Sequence, residues 1–587
     1  MSFPLAAADA APRRDVVVVT GAYEPVPLDE ADRAVRALPV TTQGSLLAAS
    51  PADYLRLDPS LDLRSRAPNG VQSDLSIRGG GFGQTLVLLD GMRLNDAQSG
   101  HHNLDIPVPL EALDRIEILK GAGSAQHGSD AVGGVVNLIS RAPEAFEFRL
   151  RAAAGNFGVN RQSAFAGAVW RSLSQQFCVT RDFSSGFLPN RDYRNLSLSS
   201  VTRAVSRLGA TSIALAHNDR PFGADRFYGN FPSWERTRTW FGSARQELGG
   251  RTEVSFAWRR HTDLFVLYRD RPAIYTNRHA TNSSQVILRR RETLAPNAVL
   301  SYGGEGYRDA IESTNLGARR RNRGAAWLAL DVRALRRFSF TAGGREEFYS
   351  RSGRQFSPTA SAGYWASAAL KFRAGASRAF RMPTYTDLYY HDPANLGSAD
   401  LRPEHAWSYE AGLDWFAPAG RLRGDVTVFH RRDRDVIDYV RRSPAEIWRA
   451  TNFQRIDFTG LETSLNLRLA RSQFLDLRYT GLRGGRPATD GVESKYVFNY
   501  PVHNGLAGWD GMLPGGLLAR VRLGVLSRLG RDPYAVLDVG AAYARGRVRP
   551  FLQLSNLGDA AYQEVPGVLM PGRGITGGIE IVLFGAR

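Results

Sequence analysis

The chain has 587 residues, 43% of them hydrophobic and 59 of them glycine, which excludes a wholly disordered protein and leaves room for one small domain beside a very large one. The formal charge is +18, and the basic residues are arginine except for Lys120, Lys371 and Lys495. The arginines are spread along the chain with no basic helix or base-stacking module, so the charge argues for a dispersed surface and no nucleic-acid partner. The single cysteine, Cys178, excludes an intrachain disulfide, and no apolar run of ~18 residues is present to form a transmembrane helix.

Residues 1–14 (MSFPLAAADAAPRR) end in an Ala-rich stretch that resembles the tail of a signal peptide; a flexible terminus is the alternative. Asp15, Val16, Val17, Val18, Val19 and Thr20 form a short β-prone segment, and a Pro-rich polar linker runs on to Pro39. Such a segment can add to the edge of a partner's sheet or serve as the first strand of the next domain, and its chemistry leaves both open. Ser50 is a plausible N-cap and Pro51 suits the first helical position, which predicts a short helix over Pro51–Asp58 stopped by Pro59.

Between Ser73 and Arg141, short runs rich in Ile, Leu and Val (Leu75–Arg78, Leu86–Asp90, Arg115–Lys120, Gly133–Ser140) alternate with glycine clusters, predicting strands joined by tight turns. Asp90-Gly91 is a hairpin-turn signal. The glycine strings beginning at Gly79 and Gly121 lack the sixth glycine and the Lys-Ser/Thr pair, so neither phosphate-cradling motif is met.

From about Ala145 the texture changes. Phe146–Ala152, Trp407–Trp415, Leu461–Leu469 and Leu475–Tyr479 alternate apolar and polar residues strictly, placing the two kinds on opposite faces of strands. Either a soluble sandwich or an outer-membrane barrel accommodates this pattern. Its persistence without helical punctuation, and aromatics such as Trp407 and Trp415 at strand ends, favour the barrel. At ~20 residues per strand and connection the barrel has about 20 or more strands, wide enough to need a plug. The predicted organisation is a β-prone segment and linker over 15–39, a unit over 40–142 of the right size to fill the lumen, and a barrel over 143–587.

The plug sequences Ile77-Arg78-Gly79, Val87–Gly91, Arg115–Gly121 and Gly128–Asn137 stand in the order seen in one family. So do Phe380–Thr384, Leu401–Glu404, Tyr409–Gly412, Gly460–Glu462, Ser555–Asp559 and Tyr562 through Arg573. With these motifs the chain resembles the TonB-dependent outer-membrane receptors over nearly its whole length. The resemblance implies an all-β transmembrane barrel of 22 antiparallel strands around an N-terminal α+β plug. It implies a transporter, not an enzyme, monomeric in outer-membrane lipid of a Gram-negative bacterium and without a cofactor. Asp15–Thr20 would then be the TonB box, pairing with an edge strand of periplasmic TonB. The cargo would be a scarce metal chelate, a ferric siderophore or cobalamin.

Arg78, Glu117 and Lys120 resemble the family's plug charges, and Glu404, Glu410 and Glu462 their barrel partners; opposite charges there could hold the plug yet separate under force. Candidate ligand contacts are Asp96, Gln98, His101, His102 and Asn103 in a plug loop, Tyr228 and Trp234 in a long aromatic loop over Pro221–Arg236, and Tyr389 and Tyr390 in another. Adjacent side chains in extended backbone point apart, which argues against His101 and His102 gripping one metal ion. Gly123 and His127 stand where the family commonly has proline and tyrosine. Family barrels usually end on an aromatic residue, whereas Phe584 is followed by Gly585-Ala586-Arg587 and is out of phase with Ile579, Ile581 and Leu583. A passive porin would need neither box nor plug, and a glycan importer would share both. No nucleophile–base or cofactor constellation supports an enzyme. A signalling receptor would carry an extra N-terminal domain.

Overall fold

The computed structural model describes residues 17–21, 23–335, 337–350, 353–417, 420–485 and 491–585. Twenty-two long antiparallel strands form a closed barrel. The first, Glu147–Gly155, pairs with the last, Gly574–Phe584, in the register Arg151↔Glu580. Closure removes every free strand edge, as a sheet in lipid requires. The alternation predicted from sequence is the alternation observed. Trp407, Tyr409 and Trp415 are exposed on the outer face, while Ser408 and Glu410 between them are buried on the inner one.

Connections on the side where the chain enters the barrel are short, such as 171–172, 207–208 and 296–297; those on the far side are longer, such as 226–231, 267–275 and 382–403. The segment read as a long loop over Pro221–Arg236 is shorter than expected, because strands Gly209–Asp225 and Pro232–Leu248, 17 residues each, pair to their tips. Loop-type residues such as Pro221 and Pro232 sit at strand positions here because paired extensions supply their neighbours' backbone hydrogen bonds.

Inside the barrel lies a five-stranded sheet ordered Val35–Pro39, Leu113–Lys120, Gly134–Ser140, Thr85–Leu89 and Met92–Arg93. Val35–Pro39, in the stretch read as linker, is therefore an edge strand of the plug. A hairpin of Leu61–Ser65 and Ser73–Ile77 and the helix Pro51–Leu55 complete it; at the helix start the Asp53 carboxylate accepts from the Ala49 and Ser50 amides (2.7 and 3.0 Å). The plug core gathers Leu55, Ile77, Val87, Leu89, Ile116, Ile118, Val136 and Leu138. Asp90 and Gly91 both have positive φ (49° and 82°), the turn that joins Leu89 to Met92. Gly128 also has positive φ, 79°, and a Cβ there would stand 2.2 Å from Glu347 Oε1 of the wall, so glycine is required for the close approach of plug to barrel.

The C-terminus departs from the sequence expectation. A register shift in the pairing of the closing strands moves from Arg149↔Val582 to Phe148↔Phe584, skipping Leu583. The irregularity resets the alternation. Phe584 is exposed on the outer face with its ring 5.2 Å from that of Phe146, although its position in the sequence had put it out of phase.

Candidate functional site

Three contact zones on the plug bear on function. The first joins plug to wall through charge. Arg78, in the positive-φ region at 52°, sits at the end of strand Ser73–Ile77. Its guanidinium donates from Nε and Nη2 to the two oxygens of Glu462 (2.8 and 2.9 Å) and from Nη1 to Glu410 Oε2 (2.8 Å), and it lies over the Phe429 ring at 4.3 Å. The fork geometry of arginine makes this double recognition achievable. Lys120 reaches Asp58 at 3.1 Å and Glu462 at 3.8 Å. Glu404 accepts from Gln84 of the plug at 2.8 Å and from Arg381 of the wall. Arg33, which sequence reasoning missed because it lies in the linker-like stretch, binds the other oxygen of Glu410 at 2.9 Å and the carbonyl of Ala122. Its only sequence signal was a basic residue among acids.

Glu117 does not belong to that set: its carboxylate faces the N-terminal segment, because strand Leu113–Lys120 turns this residue away from the wall. Glu117 Oε2 accepts from the Val19 and Thr20 amides (2.9 and 3.0 Å) and from Thr20 Oγ1 (2.6 Å). Asn137 donates to Thr20 Oγ1 at 3.1 Å, and Tyr23 Oη donates to the Ala125 carbonyl at 2.9 Å. Burial pushes the His127 imidazole down to about 4, so it is neutral and Nε2–H donates to the Thr20 carbonyl at 3.0 Å. Val17–Val18 pairs with Val26–Pro27, so in this state the segment is a strand of the chain's own making, tucked against the plug. Asp15 and Val16 lie outside the described residues.

The third zone is the plug apex. The turn Gly100–His102 sends its two histidines in different directions, as their adjacency implied, though the backbone is a 3-10 turn and not a strand. His101 stacks on Phe82 (4.2 Å, 20°), whose ring also meets Tyr496 edge-on, and His101 Nδ1 is 2.6 Å from Asp74. A Cβ placed on Gly81 would meet nothing within 4 Å, so there is open space at Gly81, beside the half-buried rings of Phe82, His101 and Tyr496. His102, Asp96, Gln98 and Asn103 are instead buried between plug and wall. The loop that carries them hydrogen-bonds to the long outer segment, Tyr385 N to Ala97 O and Thr386 N to Gln98 O, both 2.9 Å. A cavity of about 40 Å³ beneath it is lined by Arg93, Asp96, Asn103, Arg321, Arg323 and Arg381, room for a water or two and not for a chelate.

Tyr228 sits in loop 226–231, bonded to Glu235 and Gln72. Trp234 does not join it: Ser233 and Glu235 face inward, so Trp234 lies on the outer face of its strand. Tyr389 and Tyr390 end the short helix Tyr385–Tyr389 and its cap, with Arg319 over the Tyr389 ring at 4.2 Å.

This plug-in-barrel arrangement has known counterparts. The family description "TonB dependent receptor-like, beta-barrel" matches residues 140–557 and "TonB-dependent Receptor Plug Domain" matches residues 27–135. The chain belongs to the TonB-dependent receptors. It is similar to a vitamin B12 transporter of Vibrio vulnificus, 23% identical over 438 residues (70% of this chain, 68% of the relative). It is also similar to an iron-regulated outer membrane virulence protein of Vibrio cholerae, 27% identical over 504 residues (73% of each). In fold it matches the siderophore receptor PirA of Acinetobacter baumannii (TM-score 0.76, 14% identity, 94% of this chain and 98% of that one). It also matches the FrpB iron transporter of Neisseria meningitidis (TM-score 0.77, 14% identity, 94% and 99%). Members of this family are outer-membrane transporters of Gram-negative bacteria and not enzymes, and nutrient import across the outer membrane is the activity that membership supports.

Proposed function

We propose that this receptor imports a metal-chelate nutrient, a ferric siderophore or cobalamin, with energy relayed by TonB through the segment Asp15–Thr20. The observation that carries this reading is the coupling between the N-terminal segment and the plug. Thr20 is bonded to Glu117, His127 and Asn137, residues on three different parts of the plug. Tension applied to the segment therefore reaches the plug sheet through Thr20, with Val19 N on Glu117 and Val17 O on Arg115 beside it. Val17–Val18 has a two-residue partner strand and a bond from Arg115 to the Val17 carbonyl to give up before pairing with another chain's sheet edge.

Cargo would settle on the apical platform of Gly81, Phe82, His101 and Tyr496, where aromatic faces and a polar imidazole suit a planar, partly apolar chelate. Tyr228, Tyr389 and Tyr390 in the far loops are second-line contacts, and Asp96, Gln98, His102 and Asn103 support the loop from beneath. Arg78 with Glu410 and Glu462, Lys120 with Glu462, and Gln84 with Glu404 then hold the plug until force separates them.

Deletion of residues 15–20 tests the energy coupling. Uptake of a radiolabelled ferric siderophore or cobalamin is lost while binding of the same compound to intact cells persists. Undiminished uptake would favour a passive channel. Titration of the purified protein with a panel of ferric siderophores and cobalamins, read by quenching of intrinsic fluorescence, identifies the cargo; Phe82→Ala lowers affinity for it.

A further inference from the structure

The buried side of the Asn95–Asp105 loop carries a constellation that cargo binding does not use. His102 and Asp105 come from the plug; His261, on strand Thr252–Val266, comes from the wall. Ligand atoms of these three all lie within 4.8 Å of one another. Asp105 Oδ2 stands 3.3 Å from His102 Nδ1 and 2.9 Å from His261 Nε2. The 3.3 Å spacing matches a tetrahedral Zn²⁺ site, where bonds of about 2.0–2.1 Å put donor atoms about 3.3 Å apart, and the 2.9 Å contact, a hydrogen bond as it stands, opens by about 0.4 Å to admit the ion.

The second nitrogen of each imidazole also faces a carboxylate. His102 Nε2 is 3.5 Å from Asp263 Oδ2, and His261 Nδ1 is 3.1 Å from Asp96 Oδ2. A carboxylate behind each imidazole is the outer-shell arrangement that orients a metal-binding histidine and raises its basicity. Asp263 is 6% exposed, and its Oδ1 has no hydrogen-bond partner among the described residues. Gln98, 5% exposed, donates to Asp263 Oδ2 while its own Oε1 lacks a partner.

Charge points the same way. Asp96, Asp105, Asp263 and Glu235 are buried together, with Arg259 on Asp96 (2.5 Å) and Arg220 on Asp105 (3.3 Å) as their guanidinium partners. Carboxylates outnumber guanidiniums in this buried lining, which suits a cation and not an anion.

We propose that His102 Nδ1, Asp105 Oδ2 and His261 Nε2 bind a borderline divalent cation of the Zn²⁺ class, stapling the plug's apical loop to the barrel wall. Two imidazoles and a carboxylate favour Zn²⁺ over Mg²⁺ or Ca²⁺, which take oxygen ligands. The cation bridges plug and wall, so it binds the docked plug and not the released one. Occupancy at one hundred times the dissociation constant makes plug release about 100-fold rarer. This inference makes no use of the transported cargo.

The test uses the purified full chain in detergent, stripped with EDTA and dialysed. Zn²⁺ retained after gel filtration is counted by elemental mass spectrometry, and Co²⁺ is added as a visible-absorbing probe. One Zn²⁺ per chain and a four-coordinate Co²⁺ spectrum are expected. His261→Gln and Asp105→Asn should weaken binding at least about 100-fold, and Asp263→Asn by about 10–100-fold. His430→Gln, an exposed histidine on the outer wall hydrogen-bonded to Thr459, should leave it unchanged. No stoichiometric Zn²⁺ at micromolar concentrations, or equal binding by a folded His261→Gln, would overturn the proposal in favour of a proton-filled hydrogen-bond network. Should the substituted chains fail to fold, the wild-type stoichiometry and Co²⁺ spectrum decide the matter.

Discussion

Replacing Arg78 by methionine isolates the charge coupling between plug and wall. The guanidinium is 2% exposed and is bonded to Glu462 through two nitrogens and to Glu410 through a third. Glu410 retains Arg33 at 2.9 Å, but among the described residues Glu462 retains only Lys120 at 3.8 Å, which Asp58 holds more closely at 3.1 Å. The substitution thus strands chiefly one buried carboxylate, and removing one member of a buried pair costs about 3–5 kcal/mol. With a urea dependence of about 2 kcal/mol per molar for a unit of this size, the plug's midpoint falls by roughly 1.5–2.5 M. The chain contains its own reporter. Cys178 is fully buried on the inner wall, where it packs against Ala112 of the plug, so maleimide reaches it only when the plug leaves. Labelling of Cys178 against urea gives the midpoint without a further mutation. Adding Glu462→Gln to Arg78→Met removes the stranded charge and should recover about half of the loss. A single substitution that shifts the midpoint by less than about 0.5 M, or a double no more stable than the single, would refute the charge argument and leave packing against Phe429 as the cause.

Three other outcomes follow from the same geometry. Glu117→Gln weakens the acceptor for Val19 N, Thr20 N and Thr20 Oγ1; hydrogen exchange at those two amides should accelerate at least about tenfold, equivalent to ~1.4 kcal/mol, with the plug sheet unchanged. Leu215→Arg places a charge on the lipid face, where Leu215 is 58% exposed, and should destabilise the barrel by about 2–4 kcal/mol in bilayers if it sits near the midplane, measured by refolding equilibrium. Burial of Asp58 opposes ionisation, but Lys120 and Arg36 outweigh it and hold the carboxyl well below the usual range. The stabilisation from the charged form is present above about pH 4, the unfolded value, and is lost as the pH falls further. The gap in plug stability between wild type and Asp58→Asn should therefore be full at neutral pH and shrink below about pH 4; a gap constant with pH would count against that ion pair.

The sequence by itself determined the two-part architecture. Strict alternation over strands such as Trp407–Trp415 has one physical solution in a closed sheet, with one face to lipid and the other to the lumen, and Glu410 and Glu462 could be assigned to the lumen from parity alone. The short plug strands and the turn at Asp90-Gly91 were legible for the same reason, since local propensity and tertiary packing agree there. Parity failed at Phe584, because a register shift between the first and last strands is a property of their pairing and not of either sequence. The loop reading failed at Trp234, where strand extension and not composition decided what was loop. Partnership was decided only by the tertiary structure. Glu117 turned to Thr20 and not to the wall, Arg33 emerged from a linker to meet Glu410, and His102 met His261 across 159 positions of chain. Residues so distant in sequence meet only because the plug is seated in one rotation inside the barrel, and that rotation is set by the sum of many buried contacts that no local pattern encodes.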